Sequence, residues 1–223
     1  MLPIAASYSF LRDDENCPHK AYRLYIARDL PKERNTPEQD YGNACHKALA
    51  RHISGNATLP EDLACAEPLV GWLRSLQDKG ATLKAELSLA IDYNENPVPP
   101  GDSNVYLRGL IDVVVVGTTA AVLIDWKTGK VREEPFELEV QAFLLKAHRP
   151  RLEIIKGRFF WLKEKRLGDV HDLSDTERTA NSIRRQIGEI ESRREREWPK
   201  TPNPLCGWCR VTSCEHNSKG KTF

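Results

Sequence analysis

The stretch GLIDVVVVGTTAAVLIDWKTG, residues 109–129, contains two apolar runs joined by a short polar turn. The runs are rich in Val, Ile and Leu, and the Gly-Thr-Thr turn at 117–119 is typical of a tight connection, so we predict a β-hairpin. Each run carries one carboxylate, Asp112 in the first and Asp125 in the second. Because side chains two apart on a strand point to the same face, Asp125 should share its face with Lys127.

These two acids and the lysine are an unusual set for an apolar hairpin. Two buried carboxylates repel each other unless a cation lies between them. Hard oxygen ligands favour Mg²⁺ or Mn²⁺, and such an ion can activate a water and neutralise charge on a phosphate. A lone Asp-x-Lys on a strand is usually a solvated edge. The second acid and the apolar flanks favour a site for phosphodiester hydrolysis instead.

The segments around the hairpin alternate between helical and strand-like patterns. We predict helices at 7–29, 42–52, 61–78, 136–147 and 174–197, and strands at 81–91, 105–116, 120–126, 152–162 and 168–173. This order predicts an α/β fold of the mixed-sheet (α+β) type, with helices packed on the sheet. We expect one compact domain with three regions: an N-terminal helical region (1–80), a core sheet with a crossover helix (81–173), and a C-terminal helix and tail (174–223).

Composition excludes several classes of protein. The chain has 223 residues with 33 basic and 32 acidic side chains, and 40% of its residues are hydrophobic, which is typical of a globular protein. No apolar run approaches the roughly 20 residues that a membrane helix needs. No secretory signal is readable, so we expect a cytoplasmic protein. Residues 146–166 hold eight basic and two acidic residues, a local excess that suits a polyanion.

The chain resembles the PD-(D/E)XK nuclease superfamily. More narrowly, it is similar to the RecB-type iron–sulfur exonucleases, including the CRISPR-associated RecB-like nucleases and the AddB nuclease domain. Four motifs carry the resemblance: GNACH at 42–46, GLID at 109–112, DWK at 125–127 and QAFLL at 141–145. The resemblance implies a restriction-endonuclease-like core and a metal-dependent DNA nuclease of prokaryotic or phage origin.

The same resemblance implies roles for individual residues. It implies that Mg²⁺ or Mn²⁺ is bound by His46, Asp112 and Asp125, together with the carbonyl of Trp126. It implies catalytic roles for Lys127 and Gln141; from the residues alone, Gln141 fits a partly buried structural amide equally well. Leu145 stands where the family usually has Tyr, which affects the contact that this Tyr makes. Glu86, on the first predicted strand, either faces the site as well or has a plain structural role, and we favour the structural role.

Three of the six cysteines form the pattern C-x2-C-x4-C: Cys206, Cys209 and Cys214. Clustered thiols in a cytosolic chain indicate metal ligands, and three of them require a fourth. The resemblance supplies Cys17 of the Cys17-Pro18 dipeptide and implies a structural [4Fe-4S] cluster. The alternative is zinc, with His216 or His19 in place of Cys17.

DNA is the expected partner. The resemblance favours an exonuclease that acts on single-stranded ends over an endonuclease, and it leaves polarity and the number of metal ions open. Phe159, Phe160 and Trp161 either stack on bases or belong to the core of their strand. One alternative function is a non-catalytic nucleic-acid-binding subunit, with protein partners in recombination, repair or CRISPR adaptation. A second is a zinc-stabilised interaction domain.

Overall fold

A computed structural model of the chain describes residues 4–31, 34–193 and 197–217. The α-helices are α1 (Tyr8–Asn16), α2 (Pro18–Ala21), α3 (Pro37–Ile53), α4 (Glu67–Asp78), α5 (Phe136–His148) and α6 (Thr176–Ser192). The strands are β1 (Thr82–Ile91), β2 (Pro97–Val98), β3 (Leu107–Val116), β4 (Ala120–Lys127), β5 (Ile154–Trp161), β6 (Arg166–Leu167) and β7 (His171–Asp172). Within the described ranges, no helix combines the length and apolarity needed to cross a lipid bilayer.

The strands form one mixed sheet in the order β2-β1-β3-β4-β5-β6, with β7 also paired to β5. β1, β3 and β4 are antiparallel neighbours, and β3 and β4 form the hairpin predicted from residues 109–129. β5 lies parallel to β4, and α5 makes the crossover between them. The prediction of a mixed α/β fold is confirmed.

Helices cover both faces of the sheet, and the alternation of side chains along each strand divides the core in two. On β4, Leu123 packs into the cluster that includes buried residues of α1, α5 and α6. Its neighbours Ile124 and Trp126 pack into a second cluster with α3 and α4. Because α3 and α5 lie on opposite faces, a polar group at the end of the hairpin can be reached from both helices.

The first helix is shorter than the pattern at 7–29 predicts. α1 ends at Asn16 because Cys17 is extended, with φ −164° and ψ 103°. Pro18 then begins α2. Proline has no N–H to donate and disfavours helical geometry in the residue before it, so the Cys-Pro dipeptide breaks the helix. A π-helical turn at Tyr22–Ile26 completes the segment.

Two other helix starts differ from the prediction for local reasons. α3 begins five residues before Gly42 because Thr36 and Gln39 form a reciprocal capping box. Asp175, rather than Ser174, caps α6 by accepting a hydrogen bond from the N–H of Arg178 at 3.2 Å. The predicted continuation to residue 197 crosses residues 194–196, which lie outside the described part of the chain.

Gly109 of the GLID motif is required by close packing. A Cβ at this position would lie 2.8 Å from Cδ1 of Leu144, which is fully buried on α5. We therefore expect Gly109→Ala to lower the free energy of unfolding by about 1–3 kcal/mol, because a packed core resists added volume. Chemical denaturation measures the change.

The control is Gly71→Ala on α4, where a Cβ would meet nothing within 4 Å. This variant should be as stable as the parent or more so, because alanine favours a helix more than glycine does. Equal losses in the two variants would contradict the packing argument.

Candidate active site

A row of three acids crosses the sheet at the point where the backbone pairing between β3 and β4 ends. The β1–β3 register places Glu86 opposite Asp112. The β3–β4 register, continued one step beyond its last pair, places Asp125 opposite Asp112 on the other side. Asp112 and Asp125 are 6% and 3% exposed, so the predicted pair of buried carboxylates is formed. The expectation that they face each other from adjacent strands agrees with the structure.

Asp112 fixes the shape of the site with both of its oxygens. Oδ2 accepts a hydrogen bond of 2.9 Å from the backbone N–H of Trp126, so a side chain replaces backbone pairing at the end of the ladder. Oδ1 lies 3.2 Å from Nδ1 of His46, which α3 supplies from one face of the sheet. At this point β3 and β4 are therefore joined by the Asp112 carboxylate and not by backbone hydrogen bonds.

His46, Glu86 and Asp112 form a candidate metal group. Each offers one ligand atom, and these atoms all lie within 4.8 Å of one another. An imidazole with two carboxylates is a donor set that can hold a divalent cation, with water completing the coordination. The residues present therefore fit the divalent ion that the sequence predicts.

Glu86 was assigned a structural role from the sequence, and the structure instead brings it to this group. Its backbone has φ +50° in the middle of β1. A non-glycine residue in the left-handed region costs about 1–3 kcal/mol and is held there by its surroundings. The sequence shows Glu86 on a strand that also carries other polar residues, so only the register shows that it faces Asp112.

Asp125 is engaged by two other predicted residues. Its Oδ2 lies 2.6 Å from Nζ of Lys127. Its Oδ1 accepts a hydrogen bond of 3.3 Å from Nε2 of Gln141, which α5 supplies from the other face of the sheet. The same Nε2 also donates to the carbonyl of Leu110 at 3.2 Å. All five residues predicted for the active site thus converge, and their roles as metal ligands or catalytic groups stay predictions.

Negative charge dominates the row. Burial, reinforced by the nearby charge of Asp112, raises the pKa of Asp125 to about 7, although Lys127 opposes this shift. Burial and then Asp112 also raise the pKa of Glu86. Burial lowers the pKa of His46, but the hydrogen bond and charge of Asp112 outweigh it, so that the net change is upward. Each group therefore holds a proton more firmly than it does in water, which is the expected behaviour of a site that accepts a cation.

Two clefts open on either side of Leu110, whose side chain is 43% exposed. The first, which we call the metal-side cleft, has a volume of about 680 Å³ and is lined in part by Asn43, His46, Lys47, Arg51 and Glu86. The second, the glutamine-side cleft, has a volume of about 380 Å³ and is lined in part by Ser7, Tyr8, Arg108, Glu137 and Gln141. Leu110 lines both clefts, and Glu86 is the member of the acid row that lines the first.

The structure decides between the two interpretations of the aromatic run at 159–161. Phe159, Phe160 and Trp161 are 1%, 5% and 2% exposed, so they belong to the core and cannot stack on bases. Within the basic stretch at 146–166, Lys156 pairs with Asp172 at 2.7 Å, and Arg158 donates to a backbone carbonyl. These two cations are engaged by other groups of the fold, whereas Arg149, Arg151, Lys163, Lys165 and Arg166 are exposed, so the suitability of this stretch for a polyanion stays a prediction.

The four cysteines predicted to bind a cluster line one cavity of about 460 Å³, together with His19 and His216. Cys17 lies between α1 and α2, and the other three lie on the tail that follows α6. All four are free thiols. In the described part of the chain, no three of the cavity's thiols and imidazoles come within 4.8 Å of one another. The four cysteines thus line the same cavity, but in the described residues no three ligand atoms of this cavity lie close enough together to form a metal group.

The raised pKa of Asp125 predicts how stability depends on pH without metal. The folded chain binds this proton more tightly than the unfolded chain, so ionising Asp125 opposes folding increasingly from about pH 4 to about pH 7. Asp125→Asn removes this opposition, and Glu137 remains 2.7 Å from Lys127 as its partner. We expect the variant to be more stable than the parent by about 1–3 kcal/mol near pH 8, with no difference near pH 4.

Thermal unfolding in the presence of a chelator, across this pH range, measures the effect. Asp78→Asn, at the exposed end of α4, is the control and should show no pH-dependent difference. A variant that is less stable than the parent near pH 8 would show that the ionised carboxylate favours folding.

Comparison with known proteins identifies the family of the chain. The model of the PD-(D/E)XK nuclease superfamily matches residues 5–214. A putative exonuclease from Eubacterium rectale has the same fold, with a TM-score of 0.53 and 10% identity over 93% of this chain and 87% of its own. An alkaline exonuclease from Laribacter hongkongensis aligns at a TM-score of 0.35 and 14% identity, over 86% of this chain and 90% of its own. No curated protein matches the chain. On the family match, which spans nearly the whole sequence, the chain belongs to the PD-(D/E)XK nuclease superfamily.

Proposed function

We propose that this protein is a Mg²⁺- or Mn²⁺-dependent deoxyribonuclease, and that it acts as an exonuclease on single-stranded DNA ends. The observation that carries the proposal is the convergence of His46 and Asp112 with Asp125 and Lys127 at the end of one hairpin. A purely structural set of buried charges would be neutralised within itself. Here the carboxylates outnumber the nearby cations, and burial together with the charge of Asp112 raises the pKa of both Asp125 and Glu86.

The chemistry follows from the position of each group. A divalent ion, when bound, would supply an activated water and a positive charge beside the phosphate. Lys127 is 27% exposed, so its ammonium can donate to a phosphate oxygen or orient the attacking water. Gln141 holds the carboxylate of Asp125 in place through its amide N–H. No residue of the set is positioned as a nucleophile, so water attacks directly.

The metal-side cleft supports a nucleic-acid substrate. Lys47 and Arg51 lie one turn apart on α3, on the same wall as His46, and in the described part of the chain neither forms an ion pair. Free cations beside a hydrolytic centre are suited to consecutive phosphates of one strand. The exposed side chain of Leu110 gives the floor between the clefts an apolar surface for a base.

A labelled single-stranded oligonucleotide with Mn²⁺ or Mg²⁺ tests the activity. We expect stepwise shortening from an end, lost on chelation, and a fall of about 10³-fold or more in Asp125→Ala. Lys47→Ala and Arg51→Ala should instead raise KM and each reduce the salt dependence of binding by about one phosphate contact. Asp78→Asn is the control variant and should cleave like the parent.

The outcome also separates this proposal from the non-catalytic alternative. A protein that binds the oligonucleotide but leaves it intact with either ion would be a binding subunit of a recombination, repair or spacer-acquisition complex. Internal cleavage of a circular single strand would overturn the exonuclease assignment and keep the nuclease.

We propose further that Cys17, Cys206, Cys209 and Cys214 bind a structural [4Fe-4S] cluster, which would place the protein among the RecB-type iron–sulfur nucleases. The shared cavity supports this proposal. Zinc with Zn–S bonds of about 2.3 Å holds its thiolates about 3.8 Å apart. In the described residues, no three of the cavity's thiols and imidazoles lie within 4.8 Å of one another. Four thiols around a larger space suit a polynuclear cluster better than a single ion.

Anaerobic purification tests the cluster. The parent should be brown, contain iron and sulfide in equal amounts, and bleach on reduction, whereas Cys17→Ser should lose most of its iron. Cys65→Ser, outside the cavity, is the matched control and should retain it. One zinc per chain with no iron would instead support the zinc-stabilised alternative.

A further inference from the structure

Glu137 contacts the lysine of the candidate site, although no motif in the sequence singles it out. It lies in the first turn of α5, one turn before Gln141. Its Oε2 is 2.7 Å from Nζ of Lys127, while Oδ2 of Asp125 is 2.6 Å from the same nitrogen. The ammonium is therefore held by two carboxylates, one from its own strand and one from the crossover helix.

The two carboxylates have different surroundings. Asp125 is almost completely buried at the end of the acid row, whereas the side chain of Glu137 is 26% exposed and lines the glutamine-side cleft. Glu137 does not belong to the group of His46, Glu86 and Asp112 whose ligand atoms approach one another. The carboxylate of Glu137 thus contacts the lysine and does not belong to the candidate metal group.

The position of Glu137 is itself fixed by the segment before it. Glu133 accepts a hydrogen bond from Nε1 of Trp161 at 3.3 Å, and its other oxygen lies 3.1 Å from Nε2 of His171. This anchors the loop between β4 and α5 to β5 and β7. The edge of the Tyr8 ring also packs on Phe136, with the ring centroids 6.1 Å apart. The start of α5 is therefore fixed by the hydrogen bonds of Glu133 and by the packing of Phe136.

The carboxylate of Glu137 becomes the main partner of the Lys127 ammonium when Asp125 binds the metal ion. As a ligand of the divalent ion, the role that the family resemblance implies, Asp125 would share its charge with that ion and would hold the ammonium less firmly. Lysine has a long flexible side chain with three donors, so its direction depends on its partners. The aromatic face of Phe159, 5.4 Å from Nζ, supports the ammonium but does not direct its donors.

We propose that Glu137 is a positioning residue: it holds the Lys127 ammonium toward the scissile phosphate while Asp125 is committed to the metal. This inference rests on the proposed nuclease function. It assigns Glu137 no contact with the substrate phosphate, which it would repel, and no bond to the ion. Its effect on the rate therefore passes entirely through Lys127.

The test compares Glu137→Gln with Glu139→Gln in single-turnover cleavage of the labelled oligonucleotide. Glu139 lies on the same helix, and its carboxylate pairs with Arg178 at 3.0 Å, away from Lys127. Glu137→Gln should lower the cleavage rate by about 10–100-fold, as loss of a positioning partner does, with oligonucleotide and Mn²⁺ affinities unchanged. Glu139→Gln should cleave like the parent.

A double-mutant cycle separates positioning from a general structural effect. In a Lys127→Met background, Glu137→Gln should lower the residual rate no further. A further fall of the same size in that background, or a loss of Mn²⁺ affinity in Glu137→Gln alone, would overturn the proposal. Should Glu137→Gln fail to fold, Glu137→Asp, which keeps the charge but withdraws it, should give an intermediate rate, and a parent-like rate would overturn the proposal.

Failure of the two proposals can be told apart. Absence of cleavage by the parent and every variant would overturn the nuclease function and this inference with it. Cleavage by the parent at the same rate as Glu137→Gln would overturn this inference alone.

Discussion

The candidate site depends on one hydrogen bond, from the backbone N–H of Trp126 to the carboxylate of Asp112. At this point the hairpin stops pairing through its backbone, and a side chain satisfies the N–H instead. A buried N–H must have a partner, so Asp112 cannot be replaced without exposing the end of the ladder to water or leaving a donor unsatisfied. The same oxygen pair orients His46. One side chain therefore completes the sheet and organises the site.

The two-sided core explains why the site lies at this end of the hairpin. α3 reaches the acid row from one face with His46, and α5 reaches it from the other with Gln141. Each helix is fixed by its own apolar cluster, so the polar groups between them are held by packing that does not itself need the metal. The packing thereby holds the negatively charged side chains close together despite their mutual repulsion.

The hairpin and its acids were predictable because their signals are local. Alternating apolar residues, a tight turn and isolated buried carboxylates all lie within residues 109–129. The break at Cys17 was missed, although Pro18 marks it, because helical periodicity continues on both sides. Glu86 and Glu137 were beyond sequence reasoning for another reason. Their roles depend on a strand register and on the rotation of a helix, which bring distant segments together.

The tail and the first helices also meet far from the sheet. The N–H of His19 donates to the carbonyl of Pro199 at 3.0 Å, Asn203 donates to the carbonyl of Asn16, and the rings of Tyr22 and Trp198 stack. These contacts close a ring that includes nearly the whole polypeptide. Such a closure has a large entropic cost that a formed core reduces by bringing the ends close. We therefore expect the contacts between the first helices and the tail to form late in folding, after the domain between them.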